Sequence, residues 1–202
     1  MNKDWIGDRN SIFTTLGASN HTDKERQSED YYATDPKAAE LLCEVEQFSG
    51  NIWECASGEN HLADVFKRKN YTVRTSDIVK RTPTTEQFDF LGIENCKQWN
   101  GDIITNPPYK YALEFVYKAL SLIPAGRKVA MFLKLQFLEG KARKELFRQF
   151  PPKVVYVFSS RILCAKNAEF EQMLRGGGSA VAYAWYVWEK GYKGDTIVKW
   201  IN

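Results

Sequence analysis

A chain of 202 residues, 44% of them hydrophobic, is long enough to bury one proper core, and a net charge of only +3 excludes a wholly basic protein. The four cysteines, Cys43, Cys55, Cys96 and Cys164, are far apart, with no Cys-x-x-Cys spacing and only His21 and His61 for company, so no metal site is expected and the thiols read as buried in a reducing cytoplasm. There is no signal-peptide pattern and no apolar run long enough to span a bilayer, which predicts a soluble, cytoplasmic protein with no membrane partner.

Residues 1–30 are polar, with Trp5, Ile6 and Phe13 scattered without period, and read as a mostly irregular arm. The remainder, 31–202, reads as a single domain. Asp35-Pro36 should open a helix, because Asp is a good N-cap and Pro suits the first helical position. Ala38, Leu41, Leu42, Val45 and Phe48 follow at helical spacing, and the helix should end near Ser49-Gly50.

Strands and helices then alternate. Strands are expected at 51–55, 71–76, 86–91, 101–105, 128–133 and 154–158, and helices at 61–69, 111–123 and 139–150. Such alternation predicts a doubly wound α/β fold of about seven strands, mainly parallel and covered on both faces. After Ser159 the pattern breaks. Residues 161–179 are polar, end in Gly176-Gly177-Gly178 and read as a mobile loop. Strands at 180–188 and 196–201, joined by a turn at 191–195, look like an antiparallel C-terminal hairpin. The aromatic run AYAWYVWEKGY suits either a stacking platform or a half-buried strand of that edge hairpin.

In WECASGENHLADVF, an acid (Glu54) ends a strand and a turn through Ala56, Gly58 and Asn60 leads into a helix. Ligands of open parallel sheets sit at the carboxyl ends of the strands, so a nucleotide-like molecule is expected there. Asn60 stands where a second glycine is usual, and asparagine tolerates positive φ better than most residues. Asp77, with Ile78 beside it, ends the next strand and could accept hydrogen bonds from ribose hydroxyls. Asp89 and Phe90 could offer adenine an acceptor and a ring face. Each of these acids could equally be a solvated loop residue or a cap.

The segment DIITNPPY runs an apolar strand into Asn106, Pro107, Pro108 and Tyr109. Neither proline can donate to a sheet ladder, so the strand must stop where the backbone is stiff. This NPPY, following an acid-x-x-x-Gly turn at the end of the first strand, resembles the amino-group methyltransferases that use S-adenosylmethionine, and its Asn form resembles the adenine-specific DNA enzymes. The wider string from YYATDPKAAELL through DIITNPPYKYALEFV to AYAWYVWEKGYKG is similar to small adenine methyltransferases carried by phages and prophages.

The resemblance implies a Rossmann-like methyltransferase domain with S-adenosylmethionine as cofactor and DNA as partner, its adenine either flipped from a duplex or offered single-stranded. It makes Tyr32, Thr34 and Phe115 cofactor contacts, although an Asp inserted before Pro36 loosens the match at the first two and Phe115 fits ordinary core packing too. The chemistry is coherent. Adenine's amino lone pair is delocalised, and two fixed acceptors, the Asn106 side-chain oxygen and the Pro107 carbonyl, favour the pyramidal amine that attacks the methyl group. Tyr109 supplies a ring for the base to stack on.

No separate target-recognition region is visible. Lys141, Arg143 and Lys144, in a stretch carrying Lys134, Arg148 and Lys153 against only Glu139 and Glu145, could neutralise phosphates or be an ordinary solvated helix face. Two other readings stay open: methylation of a protein glutamine or asparagine amide, and a catalytically silent nucleic-acid-binding module of the same fold.

Overall fold

The computed structural model describes residues 32–92, 98–166, 170–171 and 181–202. The expected N-terminal arm and most of the glycine-rich stretch lie outside the described residues.

The described residues open with a short strand β1 (Tyr32–Thr34) and helix α1 (Lys37–Val45), whose turn into the helix is braced by the Lys37 N–H donating to the Asp35 carboxylate at 2.9 Å. The helix stops at Val45, earlier than the apolar spacing predicts, because Glu46 turns extended and its carboxylate is engaged elsewhere. It pairs with Lys128 and accepts the Tyr156 hydroxyl at 2.7 Å. Then come β2 (Asn51–Glu54), α2 (His61–Arg68), β3 (Thr72–Asp77) and β4 (Glu86–Gln87). The last is only two residues long. Asp89 accepts the Leu91 N–H at 3.0 Å, and this turn ends the strand that periodicity extends to Leu91.

Next are β5 (Asp102–Thr105), a 3-10 turn (Tyr109–Tyr111), α3 (Ala112–Leu122) and β6 (Lys128–Lys134). A second 3-10 turn (Leu135–Leu138) leads to α4 (Lys141–Gln149), which starts two residues after Glu139 because Gly140 has φ +115°. Among the described residues four more strands follow: β7 (Val154–Phe158), β8 (Cys164–Lys166), β9 (Tyr183–Glu189) and β10 (Ile197–Ile201).

Eight strands form one sheet in the order β10-β7-β9-β6-β5-β2-β3-β4, with every neighbouring pair parallel except those made by β9. One apolar cluster packs α1 and α2 on one face, and another packs α3 and α4 on the other, so the sheet is doubly wound as expected. β9 and β10 run antiparallel, but β7 lies between them. The aromatic strand is therefore interior rather than half-buried at an edge. Tyr183, Trp185 and Val187 fill one cluster while Ala184, Tyr186 and Trp188 fill the other.

Burying rings of this size contributes about 1.5–3 kcal/mol each, provided their polar tips are satisfied. They are: the Trp185 indole donates to the Ala38 carbonyl at 2.8 Å and the Trp188 indole to the Phe150 carbonyl at 3.0 Å. The sheet thus uses the run as core, not as a stacking platform.

The expected mobile loop contains β8, which pairs antiparallel with β1 in a separate two-stranded ribbon, Thr34 opposite Cys164. A three-residue strand inside a polar segment has no periodicity to announce it.

Candidate active site

β2 and β5 are neighbours, and the chain leaves them in opposite directions across the sheet. A crevice outside the carboxyl ends of strands at such a switch point is where open α/β sheets bind ligands. Glu54 ends one strand and Asn106 follows the other.

On the β2 side the backbone turns sharply, with Gly58 at φ +52° and Asn60 at φ +70°. Both positions lie in the left-handed region, which confirms the reason for tolerating asparagine here. The Asn60 side chain is buried and fastens the turn: Nδ2 donates to Thr82 Oγ1 at 2.8 Å and Thr84 Oγ1 at 3.2 Å, and Oδ1 accepts from Thr85 Oγ1 at 3.2 Å. Asp77 holds the turn from the next strand. Its carboxylate accepts the Gly58 N–H at 2.8 Å and the Val79 N–H at 3.0 Å. A carboxylate has about four acceptor sites, so both oxygens retain capacity.

Glu54 is 2% exposed, and its Oε2 has no hydrogen-bond partner among the described residues. Burial pushes its pKa well above the usual carboxylate range, with the Ala63 N–H opposing and nearby Asp77 adding to the rise. Ala56 is partly exposed beside it, Ile78 is 63% exposed at the end of β3, and Asp89 is exposed beyond β4. Phe90 differs from expectation. It is buried with Phe115, ring centroids 4.9 Å apart, and edge-on to Trp53 at 5.3 Å, so neither phenylalanine offers a free ring face.

On the β5 side, Pro107 is buried and Pro108 exposed. Asn106 Nδ2 donates to Thr34 Oγ1 at 2.8 Å and to the Tyr32 carbonyl at 3.3 Å, with Cys164 Sγ at 3.6 Å. Its Oδ1 is buried and has no partner among the described residues. Tyr32 and Thr34 therefore hold the asparagine itself. The Tyr109 hydroxyl lies 3.3 Å from Cys164 Sγ, its ring 6.0 Å from that of Tyr183, and Lys134 Nζ sits over it at 5.0 Å. Burial raises the pKa of Tyr109 far above its ordinary value and that of Cys164 as well, so this pair stays protonated and neutral at physiological pH.

Cys164, Tyr183 and Lys134 were not legible as site residues: they come from a segment read as loop, from the aromatic strand and from an ordinary strand end. The basic segment divides. Lys141 and Lys144 are exposed at the start of α4, on the side of the sheet where β6 ends. Arg143 is partly engaged within its own turn: its guanidinium donates to the carbonyls of Glu139 (2.7 Å from Nε) and Gln136 (3.1 Å) and lies over the Phe137 ring. Among the described residues no cluster of His, Cys, Asp and Glu could hold a metal ion, and no helix is long and apolar enough to cross a membrane.

No family model and no curated protein matches the chain. Solved structures do. A predicted O-methyltransferase from Agrobacterium tumefaciens superposes with a TM-score of 0.57 at 13% identity, covering 81% of this chain and 85% of that one. An S-adenosylmethionine-dependent O-methyltransferase from Thermotoga maritima gives 0.53 at 11% identity, covering 84% and 70%. The type IIG restriction endonuclease BpuSI gives 0.57 at 14% identity, with 84% of this chain matching only 26% of that one. The Rossmann-like methyltransferase fold follows from this likeness.

Proposed function

We propose that the protein transfers a methyl group from S-adenosylmethionine to the 6-amino group of adenine in DNA. The observation that carries this reading is the buried Oδ1 of Asn106, without a partner among the described residues and fixed on a stiff Pro-Pro turn at the sheet's switch point. Folds shared with an S-adenosylmethionine-dependent enzyme and with part of a restriction endonuclease support it.

The β2 side fits the cofactor. Glu54 and Asp77 end adjacent parallel strands and Asp89 follows β4, an array of acceptors for hydroxyl and ammonium donors, and the orphaned Oε2 of Glu54 gains a partner there. When bound, S-adenosylmethionine supplies an electrophilic methyl group carried on a sulfonium. Asn106 Oδ1 and the Pro107 carbonyl accept the two amino protons and draw adenine's nitrogen toward the pyramidal, nucleophilic form. The neutral Tyr109–Cys164 pair supplies no base, and none is needed until the alkylated nitrogen sheds a proton to solvent. A base stacking on the Tyr109 face that Lys134 covers turns the ammonium outward, toward phosphate. Lys141 and Lys144 add sequence-independent phosphate contacts.

The test is transfer of labelled methyl groups to duplex DNA, single-stranded DNA, RNA and protein in parallel, followed by nucleoside analysis. We expect 6-methyladenine in DNA. Cofactor binding without 6-methyladenine in any DNA sample would refute the proposal, and label in glutamine or asparagine would establish the amide reading instead. Asn106→Ala should cut turnover by roughly 100- to 1,000-fold, the range seen when one transition-state hydrogen-bonding group is removed, with cofactor affinity nearly unchanged.

A further inference from the structure

The terminal torsion of an asparagine is roughly two-fold, so its amide can present either oxygen or nitrogen to a substrate. Only one face serves an amino group that must donate. The Asn106 Nδ2 is surrounded by three acceptors, all on the small ribbon outside the main sheet: the Tyr32 carbonyl at 3.3 Å, Thr34 Oγ1 at 2.8 Å and Cys164 Sγ at 3.6 Å. A carbonyl can only accept, so an inverted amide would set oxygen against oxygen at Tyr32 and leave the NH2 group facing the substrate. Thr34 and Cys164 are direct cross-strand partners, both 3% exposed, and Cys164 Sγ also touches the Tyr109 hydroxyl at 3.3 Å.

We infer that the β1–β8 ribbon is a clamp that fixes which end of the Asn106 amide meets the substrate, with Thr34 and Cys164 as its positioning residues. The inference rests on the reading of Asn106 as substrate acceptor. It changes the role of Thr34. The family resemblance makes Thr34 a cofactor contact, whereas the geometry has it gripping the amide nitrogen that leaves Oδ1 forward. It also explains why a segment between β7 and β9 returns to pair with β1: the ribbon brings two residues distant in sequence to one side chain on β5's loop.

Kinetics and amide exchange test it together. Thr34→Val keeps shape and removes the acceptor; kcat should fall about ten-fold, the worth of one hydrogen bond, while KM for S-adenosylmethionine stays within about two-fold. Thr34→Ser restores the hydroxyl and should recover most of kcat. Cys164→Ala should lower kcat in the same direction, by about three-fold, sulfur being the weaker acceptor. A rise in KM for the cofactor with kcat intact, or equal losses in the Val and Ser variants, overturns the clamp.

The second readout does not depend on transfer. In 15N-labelled protein the Asn106 side-chain amide protons should exchange slowly with solvent in wild type and about ten-fold faster in Thr34→Val. Unchanged exchange refutes the clamp. Should wild type form no 6-methyladenine, the functional reading fails on its own and amide exchange alone decides the clamp.

Discussion

Replacing Asn60 separates the two jobs that one residue does. Its backbone sits at φ +70°, where alanine loses about 1 kcal/mol or more relative to glycine. Its buried side chain makes three hydrogen bonds to the threonines of the 82–85 loop. At about 1 kcal/mol each these sum to roughly 3 kcal/mol. Part is recovered, because Thr82 already lies 2.8 Å from Thr85 Oγ1 and 3.2 Å from Thr84 Oγ1, so the hydroxyls can satisfy one another. About 2 kcal/mol remains. Asn60→Gly should therefore cost about 2 kcal/mol, and Asn60→Ala about 3 kcal/mol, equivalent to a melting temperature lower by roughly 6–12 °C for a chain of this size.

The order is the diagnostic. At an ordinary helical or extended position glycine is the less stable of the two by about 0.5–1 kcal/mol, whereas here it should be the more stable. Urea unfolding of the three proteins, with slopes compared to confirm that only the midpoint moves, reads the difference directly. If alanine proves as stable as glycine, the strained turn is not a property of the protein. If either variant matches wild type, the threonine cage contributes nothing.

Asp102→Ala should destabilise by about 3 kcal/mol, because a 2% exposed carboxylate that accepts the Lys128 N–H at 2.7 Å and the Ser49 N–H would leave two backbone donors unpaired; thermal unfolding measures it, and a loss below about 1 kcal/mol contradicts the assigned role. Lys144→Gln should reduce the slope of log affinity for DNA against log salt by about 0.7–0.9, while Arg143→Gln lowers the melting temperature with no change of slope; the reverse pattern would mean that the two roles are exchanged. Glu54 titrates above its ordinary value in the folded state, so the native protein binds more protons than the unfolded chain. Its stabilising contribution is full below pH 4.5 and is lost as pH rises through the raised pKa, so Glu54→Gln should flatten the decline of the urea midpoint that begins above pH 4.5; an identical slope in wild type and variant would refute the buried-acid account.

The parts of the fold legible in the sequence are those built on strong local signals. Alternating apolar strands and amphipathic helices located the parallel sheet, and prolines and glycines located its turns to within a few residues. What failed to show was decided at long range. Residues 180–201 read as a hairpin because a short turn joins two β-rich runs, yet β7 takes the place between them, and nothing within the aromatic run states that both its faces are covered. The β1–β8 ribbon, three residues on each side, is too short for periodicity, and it is held by a register that only the folded chain displays. Residues of the candidate site followed the same divide. Glu54, Gly58, Asn60, Asp77 and Asn106 punctuate strand ends and could be found; Cys164 and Tyr183 reach the asparagine's surroundings only through pairing with distant strands.

That divide bears on why three buried side-chain oxygens, Glu54 Oε2, Thr105 Oγ1 and Asn106 Oδ1, have no hydrogen-bond partner among the described residues. An unpaired buried acceptor costs about 1–3 kcal/mol, a large fraction of the few kcal/mol by which domains are stable. Glu54 Oε2, Thr105 Oγ1 and Asn106 Oδ1 all carry this penalty, at or just beyond the carboxyl ends of two neighbouring strands. The register Trp53 to Ile103 sets Glu54 level with Ile104, one residue short of Thr105 and two short of Asn106, so these three penalties fall together at the switch point. The protein had near remedies. A hydroxyl in reach of Oδ1 would have silenced the asparagine, just as the threonine cage silences Asn60. Instead the ribbon saturates the nitrogen and leaves the oxygen open. Stability given up at one end of an amide and secured at the other is the pattern expected of an acceptor kept ready for a donor that the folded chain does not itself contain.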